Sequence, residues 1–382
     1  MTGTADVSNR GPASTQDWVR MMVAAAGAGS MHIPDGYLSP STCAVLYAGT
    51  AAGWYSALRR LKRALLTRVI PLISVFAAFS FVVMMFNLPL PGGTTGHALG
   101  VTIATIVLGP SGAIVAISIA LAIQALFFGD GGITTLGANC FNMAIVGSLV
   151  AYGVYRLISA RAAIVSKRRV VAAAIAGYLA VNAAALFAAV EFGLQPVLFH
   201  DAGGAPLYSP YGLRVAIPAM LIGHLTFAGM AEAVISAGLV AYLQASDPVL
   251  LRGTSGAVEA ASSVPVRAPL GSLRRLWIAV GILLLLTPLG ILAAGTAWGE
   301  WSPMELAHAA AQSASSGPAV PSGLQRLSGL WTAPFPAYAP AFVRSRGFGY
   351  LLSAMFGVGG VLCASLIAQS VVERLRRRGS QV

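Results

Sequence analysis

A histidine one residue from a free amino terminus is a ready-made chelate, and Met31-His32-Ile33-Pro34-Asp35-Gly36 offers that arrangement. The amine of Met31, the amide nitrogen of His32 and its imidazole would close two small rings round one divalent ion. Nitrogen donors in a square suit late first-row metals such as nickel, cobalt and copper. The chelate requires Met31 to be the mature terminus, and thirty residues precede it. Translation starting at Met31 would supply that terminus. Removal of residues 1–30 as a leader would do the same. Arg20-Met21-Met22-Val23-Ala24-Ala25-Ala26-Gly27-Ala28-Gly29-Ser30 has a basic residue, a short apolar run, and small residues where a signal peptidase needs them. The plain alternative is a polar tail ahead of a membrane protein.

Five histidines are available to complete such a site. His97 opens an apolar stretch and is expected at the same outer face as His32, where its imidazole would finish a four-nitrogen plane. His200 stands beside Asp201 in a loop and reads as a solvated pair. His224 and Glu232 lie eight residues apart, near one face of a helix, at a depth where polar groups need partners or a function. His308 reads as a loop residue. Metal-bound imidazoles are held by further hydrogen bonds that fix their tautomer. Gln124, Asp130, Asn139 and Asn142, polar residues in or beside apolar stretches, are the candidates for that supporting role. General packing between helices accounts equally well for any one of them.

Three kinds of chemistry find no support. Gly92-Gly93-Thr94-Thr95-Gly96 is glycine-rich but lacks the lysine of a phosphate loop, so ATP is not hydrolysed here by that route. The carboxylates Asp35, Asp130, Glu191 and Glu232 are scattered, and no Ser-His-Asp arrangement is evident. Cys43, Cys140 and Cys363 have no metal-type spacing and read as packing thiols.

The elements that must position these residues are transmembrane helices. Of 382 residues, 57% are hydrophobic and 9% charged, with a mean hydropathy of +0.76; a soluble domain carries about 25% charged residues. A helix needs about 20 apolar residues to cross the hydrocarbon. Spans are expected near Thr42–Leu58, Val69–Leu88, His97–Leu108, Ser111–Phe128, Gly137–Leu157, Val170–Leu194, Val215–Leu243, Leu276–Ala294 and Gly349–Val371. With Met31 outside, 18 lysines and arginines fall in inside loops and four outside, as the positive-inside rule requires. The net charge of +12 therefore signals membrane orientation rather than nucleic acid. Joining the third and fourth spans into one crossing would put the Lys167 cluster outside. Two short or tilted helices meeting at Gly109-Pro110-Ser111-Gly112 are expected instead.

The fold class is thus an all-α polytopic membrane protein. A seven-span body over residues 31–248 leads through a polar linker, 249–273, to a two-span hairpin, 274–382, with a long outside loop of unassigned role. Small residues in the first span, Ala44, Ala48, Gly49, Ala51, Ala52 and Gly53, allow close approach of another helix, within the chain or from a partner.

Several ordered motifs resemble the CbiM/NikM family: M-H-I-P-D-G-Y-L-S-P at Met31, T-T-G-H-A-L-G around His97, Q-A-L-F-F-G-D-G-G with L-G-A-N-C-F-N-M, and I-P-A-M-L-I-G-H-L-T-F-A-G-M-A-E-A at Ile217. That family comprises substrate-capturing membrane components of energy-coupling factor (ECF) transporters for cobalt or nickel. The resemblance implies that the amine of Met31, the amide nitrogen and imidazole of His32, and the imidazole of His97 bind Co²⁺ or Ni²⁺. It also implies a CbiQ/NikQ-like coupling subunit and CbiO/NikO-like ATPases as partners, in a bacterial inner membrane, with the C-terminus cytoplasmic. The tail is similar to a CbiN/NikN-type or PDGLE-type partner fused to the same chain. Thr287-Pro288-Leu289-Gly290, Gly295-Thr296-Ala297-Trp298-Gly299-Glu300-Trp301 and Gly349-Tyr350 carry that likeness, although the P-D-G-L-E string itself is absent.

The expected function is ATP-driven uptake of a transition metal by a component that is not itself an enzyme. Binding should weaken in acid, because each ligand nitrogen must lose its proton. Two rivals make different demands. A secondary transporter would use Asp130, Glu191 or Glu232 as ion sites, and an intramembrane enzyme would use His224 with Glu232.

Overall fold

The computed structural model describes residues 32–61, 69–90, 94–254, 270–292, 303–304 and 320–379. The chain is a helical bundle. Helix α1 covers Pro40–Leu61 and α2 Val69–Met84. A short antiparallel hairpin pairs Leu88–Leu90 with Thr94–Gly96. There follow α3 (Val101–Phe128), α4 (Leu136–Ser159), α5 (Lys167–Leu198) and α6 (Leu213–Ser246). Helix α7 (Leu270–Leu286) runs into a 3₁₀ turn, Thr287–Leu292. A short α8, Ser322–Leu327, and the long α9, Arg346–Gly379, complete the chain. Six of these segments are long and apolar enough to cross a membrane, and α2 is a shorter apolar helix.

The segment α3 is not one straight rod. At 1.5 Å per residue a continuous helix over 101–128 would be about 40 Å long. Yet residues just outside its two ends, His97 and Asp130, both meet His32. The chain must therefore reverse between them, and it does so at Gly109, whose φ of 73° and ψ of 167° interrupt the helix. Pro110 follows, with no N–H to continue the ladder. The turn expected at Gly109-Pro110-Ser111-Gly112 is present. The first arm begins later than expected, however. His97 precedes the helix rather than opening it, because Gly100 adopts a left-handed conformation (φ 68°) and the helix starts at Val101.

Packing follows residue size. The inner face of α5 is alanine-rich, with Ala172, Ala176, Ala180, Ala184 and Ala188 fully buried. Such a strip lets helix backbones approach closely. On α1 the small residues divide: Gly49 and Gly53 lie against Phe141 and Ile145 of α4, while Ala44, Ala48, Ala51 and Ala52 face outward. Helix α2 is buried along almost its whole length, enclosed by α3, α7 and α9. The body runs on past α6 into a 3₁₀ turn at Pro248–Thr254, which buries Leu250 and Leu251.

Three helices carry π-helical segments: Gln124–Phe128, Cys140–Val146 and His224–Ala228. Such widened turns are rare and recur at functional sites. Here they hold Gln124, Asn142 and His224, all singled out for their chemistry.

Candidate metal centre

The strap leading away from His32 is pinned by side chains from the 130–139 region. Asn139 Oδ1 accepts the Ile33 N–H at 2.8 Å, and its Nδ2 donates to the Ile33 carbonyl at 3.1 Å. The Gly132 N–H, at 2.9 Å, and the Thr135 hydroxyl donate to the same carbonyl. Two residues on, the Asp35 carboxylate accepts the N–H groups of Ile133 (3.1 Å) and Thr134 (2.7 Å) as well as the Thr134 hydroxyl. Gly132 passes so close that a Cβ there would overlap the Asp35 amide.

The second strap, carrying His97, is held from below. Glu232 of α6 accepts the N–H groups of Leu99 and Gly100 at 2.8 Å each and that of Thr102 at 3.2 Å. A carboxylate satisfies the orphan donors of a helix start and complements its dipole. These three donors are the backbone partners of the fully buried Glu232.

The two straps bring His32 and His97 together, with ring centroids 5.0 Å apart and planes inclined by 55°. His97 Nδ1 donates to its neighbour's carbonyl, Ala98 O, at 3.1 Å. A carbonyl can only accept, so Nδ1 carries the proton and Nε2 keeps a lone pair for an ion. Burial, and then the neighbouring His32, hold the His97 pKa down to about 4. The ring is therefore neutral and competent to ligate at ordinary pH.

Behind His32 stands Asp130. Its Oδ1 accepts from His32 Nδ1. Its Oδ2 accepts from the Tyr338 hydroxyl at 2.5 Å and from Gln124 Nε2 at 3.3 Å. Gln124 Nε2 also donates to the Tyr338 oxygen at 3.1 Å. Burial alone would raise the Asp130 pKa, but the contacts with His32 and the proximity of His97 outweigh it and hold it down to about 2. Tyr338 moves the other way: burial, then the charge of Asp130, push it well above its usual value of 10, so it stays a donor.

Of the residues singled out from sequence, His32, His97, Gln124, Asp130 and Asn139 gather at one end of the bundle. Met31 lies outside the described residues, as does His308. Asn142 is directed elsewhere, with its Nδ2 donating to Glu191 Oε2 at 2.8 Å. His224 donates to its own helix at Met220 O, 2.7 Å away, and Glu232 is occupied as the helix cap, so the two do not form an acid–base pair. His200 is exposed, and the Asp201 carboxylate serves its own turn at Gly203 and Ala205 rather than His200. Sequence reading missed Tyr338, which sits in Phe335-Pro336-Ala337-Tyr338, without helical periodicity, more than 200 residues from its partner. It also left Asp35 among the scattered carboxylates. That residue's place three positions after His32, in the M-H-I-P-D-G string, was the available signal. Among the described residues, no three His, Cys, Asp or Glu side chains form a metal cage. Two imidazoles backed by a carboxylate are what this end presents.

The family described as the cobalt uptake substrate-specific transmembrane region, CbiM, matches residues 32–250, more than half of the sequence. The chain belongs to the CbiM family. The fused nickel transport protein NikMN of Rhodobacter capsulatus is 54% identical over 359 residues, covering 91% of this chain and 100% of that protein. The probable fused nickel transport protein LarMN of Lactiplantibacillus plantarum is 42% identical over 332 residues, covering 86% of this chain and 94% of that one. The crystal structure of a truncated transition metal transporter matches with a TM-score of 0.53 and 50% identity, over 56% of this chain and 99% of that one. The CbiM region thus holds the paired histidines, and the match to the Rhodobacter capsulatus protein runs on through the stretch that supplies Tyr338.

Proposed function

We propose that this chain is the substrate-specific membrane component of an ECF transporter that captures Ni²⁺ or Co²⁺ outside the cell and passes it inward. The carrying observation is the pair His32 and His97, rings 5.0 Å apart, with one tautomer set by Ala98 and the other ring backed by Asp130. The amine of Met31 and the amide nitrogen of His32 complete a four-nitrogen set. Closing a small ring with its own amide calls for Nδ1 of His32, the nitrogen that faces Asp130 here. An ion arriving by that route takes the place of the proton shared with Asp130. The carboxylate keeps the donors Tyr338 and Gln124 and offsets part of the incoming charge.

Energy for release comes from ATP hydrolysed in separate subunits, transmitted through a membrane coupling subunit. The involvement of Glu232 with three backbone donors favours this over an ion-gradient mechanism, since the carboxylate already serves the helix start. Titration of purified protein with Ni²⁺ or Co²⁺, paired with amino-terminal sequencing, tests the site. Affinity should collapse in the His32→Ala/His97→Ala double variant. Unchanged affinity in a sample beginning at Met31 overturns the reading. Uptake that outlives loss of the ATPases but stops with the ion gradient would overturn the energy source alone.

A further inference from the structure

We propose that Tyr338, supplied by the C-terminal part of the chain, is a positioning residue for ion capture that acts through Asp130 on His32. This rests on the metal-capture reading above and deepens it. Three observations support it.

First, the contact is direct and largely shielded from solvent. The Tyr338 hydroxyl donates to Asp130 Oδ2 at 2.5 Å while Oδ1 of the same carboxylate holds His32. In the metal-free site that contact holds the His32 ring in place, and once an ion takes Nδ1 the Tyr338 hydroxyl still fixes where the Asp130 charge sits beside it; loss of such outer partners typically weakens metal binding.

Second, the tyrosine is docked as a unit against the arm that leads to Asp130. Its ring stacks on Phe128, centroids 4.7 Å apart and planes 19° from parallel. Around it, the Phe335 N–H donates to Phe127 O at 2.9 Å and Trp331 Nε1 to Leu126 O at 3.0 Å. These bonds fasten the segment 331–338 to the C-terminal π turn of α3. From the other side, Ser353 of α9 donates to the Tyr338 carbonyl at 3.0 Å. Tyr350 donates to Met85 O at 2.7 Å, which ties α9 to the end of α2.

Third, the backbone is strained at this point. Ala337 and Tyr338 both have positive φ, 51° and 58°. Non-glycine residues avoid that region, and they persist there where surrounding contacts over-determine them, often at functional sites. The strained pair delivers the hydroxyl to Asp130.

The test uses the full chain and Ni²⁺ alone as probe. Tyr338→Phe keeps the stacking ring and removes only the donor. It should leave the melting temperature nearly unchanged and weaken Ni²⁺ binding by about 10-fold or more. Asp130→Asn should also weaken binding, and in that background Tyr338→Phe should cost nothing further, because the tyrosine acts only through the carboxylate. Losses that multiply, or a Tyr338→Phe protein that binds like the parent, overturn the proposal. Should Tyr338→Phe fail to fold, 3-fluorotyrosine at position 338 gives the same test. The ¹⁵N shift of His32 Nδ1 in the metal-free protein must then respond, and an unmoved signal counts against the proposal. Metal binding that survives loss of both histidines defeats the underlying site assignment instead. Histidine-dependent binding indifferent to Tyr338 defeats only this inference.

Discussion

The Glu232 carboxylate lies under the amide of Gly100, 2.8 Å away, three residues from the ring of His97. No contact joins Glu232 to His97 itself, yet the glutamate determines where the imidazole-bearing strap ends and the helix begins. A residue deep in α6 thereby sets the position of a ligand on another element.

Removal of that carboxylate should therefore affect both stability and capture. Glu232→Ala leaves three buried N–H groups without an acceptor, each costing about 1–3 kcal/mol. Glu232→Gln keeps one acceptor oxygen and replaces the other with a donor. Thermal unfolding in detergent should rank parent above Gln above Ala, with nickel affinity falling in the same order. Affinity unchanged in the alanine variant would separate Glu232 from the site.

The low pKa of His97 has consequences of definite sign. A folded value of about 4 against 6.5 when unfolded means that the unfolded chain binds the extra proton between those values. Stability should therefore fall as pH drops from about 6.5 to 4, and this group contributes no slope above that window. Chemical denaturation at stepped pH reads the slope directly.

Ion capture should follow a different pH course. His97 is already deprotonated well above pH 4, whereas an α-amine has a reference pKa near 8. With Met31 as terminus, nickel affinity should fall at least about tenfold per pH unit below that value. Calorimetric titration from about pH 8 to pH 5 decides the matter, since a level profile removes the amine from the ligand set.

Gly132 should not tolerate a methyl group. A Cβ at this position would overlap the amide and carboxylate of Asp35, the residue that anchors the strap behind His32. Gly132→Ala is expected to displace that strap, at about 1–3 kcal/mol, and to reduce metal affinity at the same time. A protein with parental melting temperature and affinity would contradict the close approach.

Gly109 and Gly153 make a matched pair, because neither has any atom within 4 Å of where a Cβ would lie. Gly109 turns the chain with φ 73° and ψ 167°, a region essentially closed to other residues, so Gly109→Ala should cost about 1–3 kcal/mol. Gly153 is an ordinary position inside α4, where alanine should stabilise by about 0.5–1 kcal/mol. Melting temperatures moving in opposite directions would establish that backbone conformation, not space, governs the turn.

Composition and apolar run length determined that this is a polytopic helical membrane protein, and placed most helix ends within a few residues. Both are local properties. A run of about 20 apolar residues has few alternatives once the backbone must satisfy its own hydrogen bonds in lipid. The break at Gly109-Pro110 was legible for the same reason, since those two residues forbid a continuous helix wherever they fall. His32 and His97 stood out because imidazoles at the edges of apolar stretches are conspicuous in a chain this poor in charge.

Tertiary structure alone decided which polar groups serve those histidines. Asn139, Asp130 and Gln124 were visible as candidates beside Asn142, and nothing in their local sequence separates them. The separation comes from helix rotation, which turns Asn139 to Ile33 and Asn142 to Glu191. His224 and Glu232 share a helix face, yet three backbone donors from a distant strap claim the glutamate first. Tyr338 was beyond reach for the plainest reason. Its partner Asp130 lies 208 positions away, and only the docking of α9 and its preceding loop against α2 and α3 closes that distance.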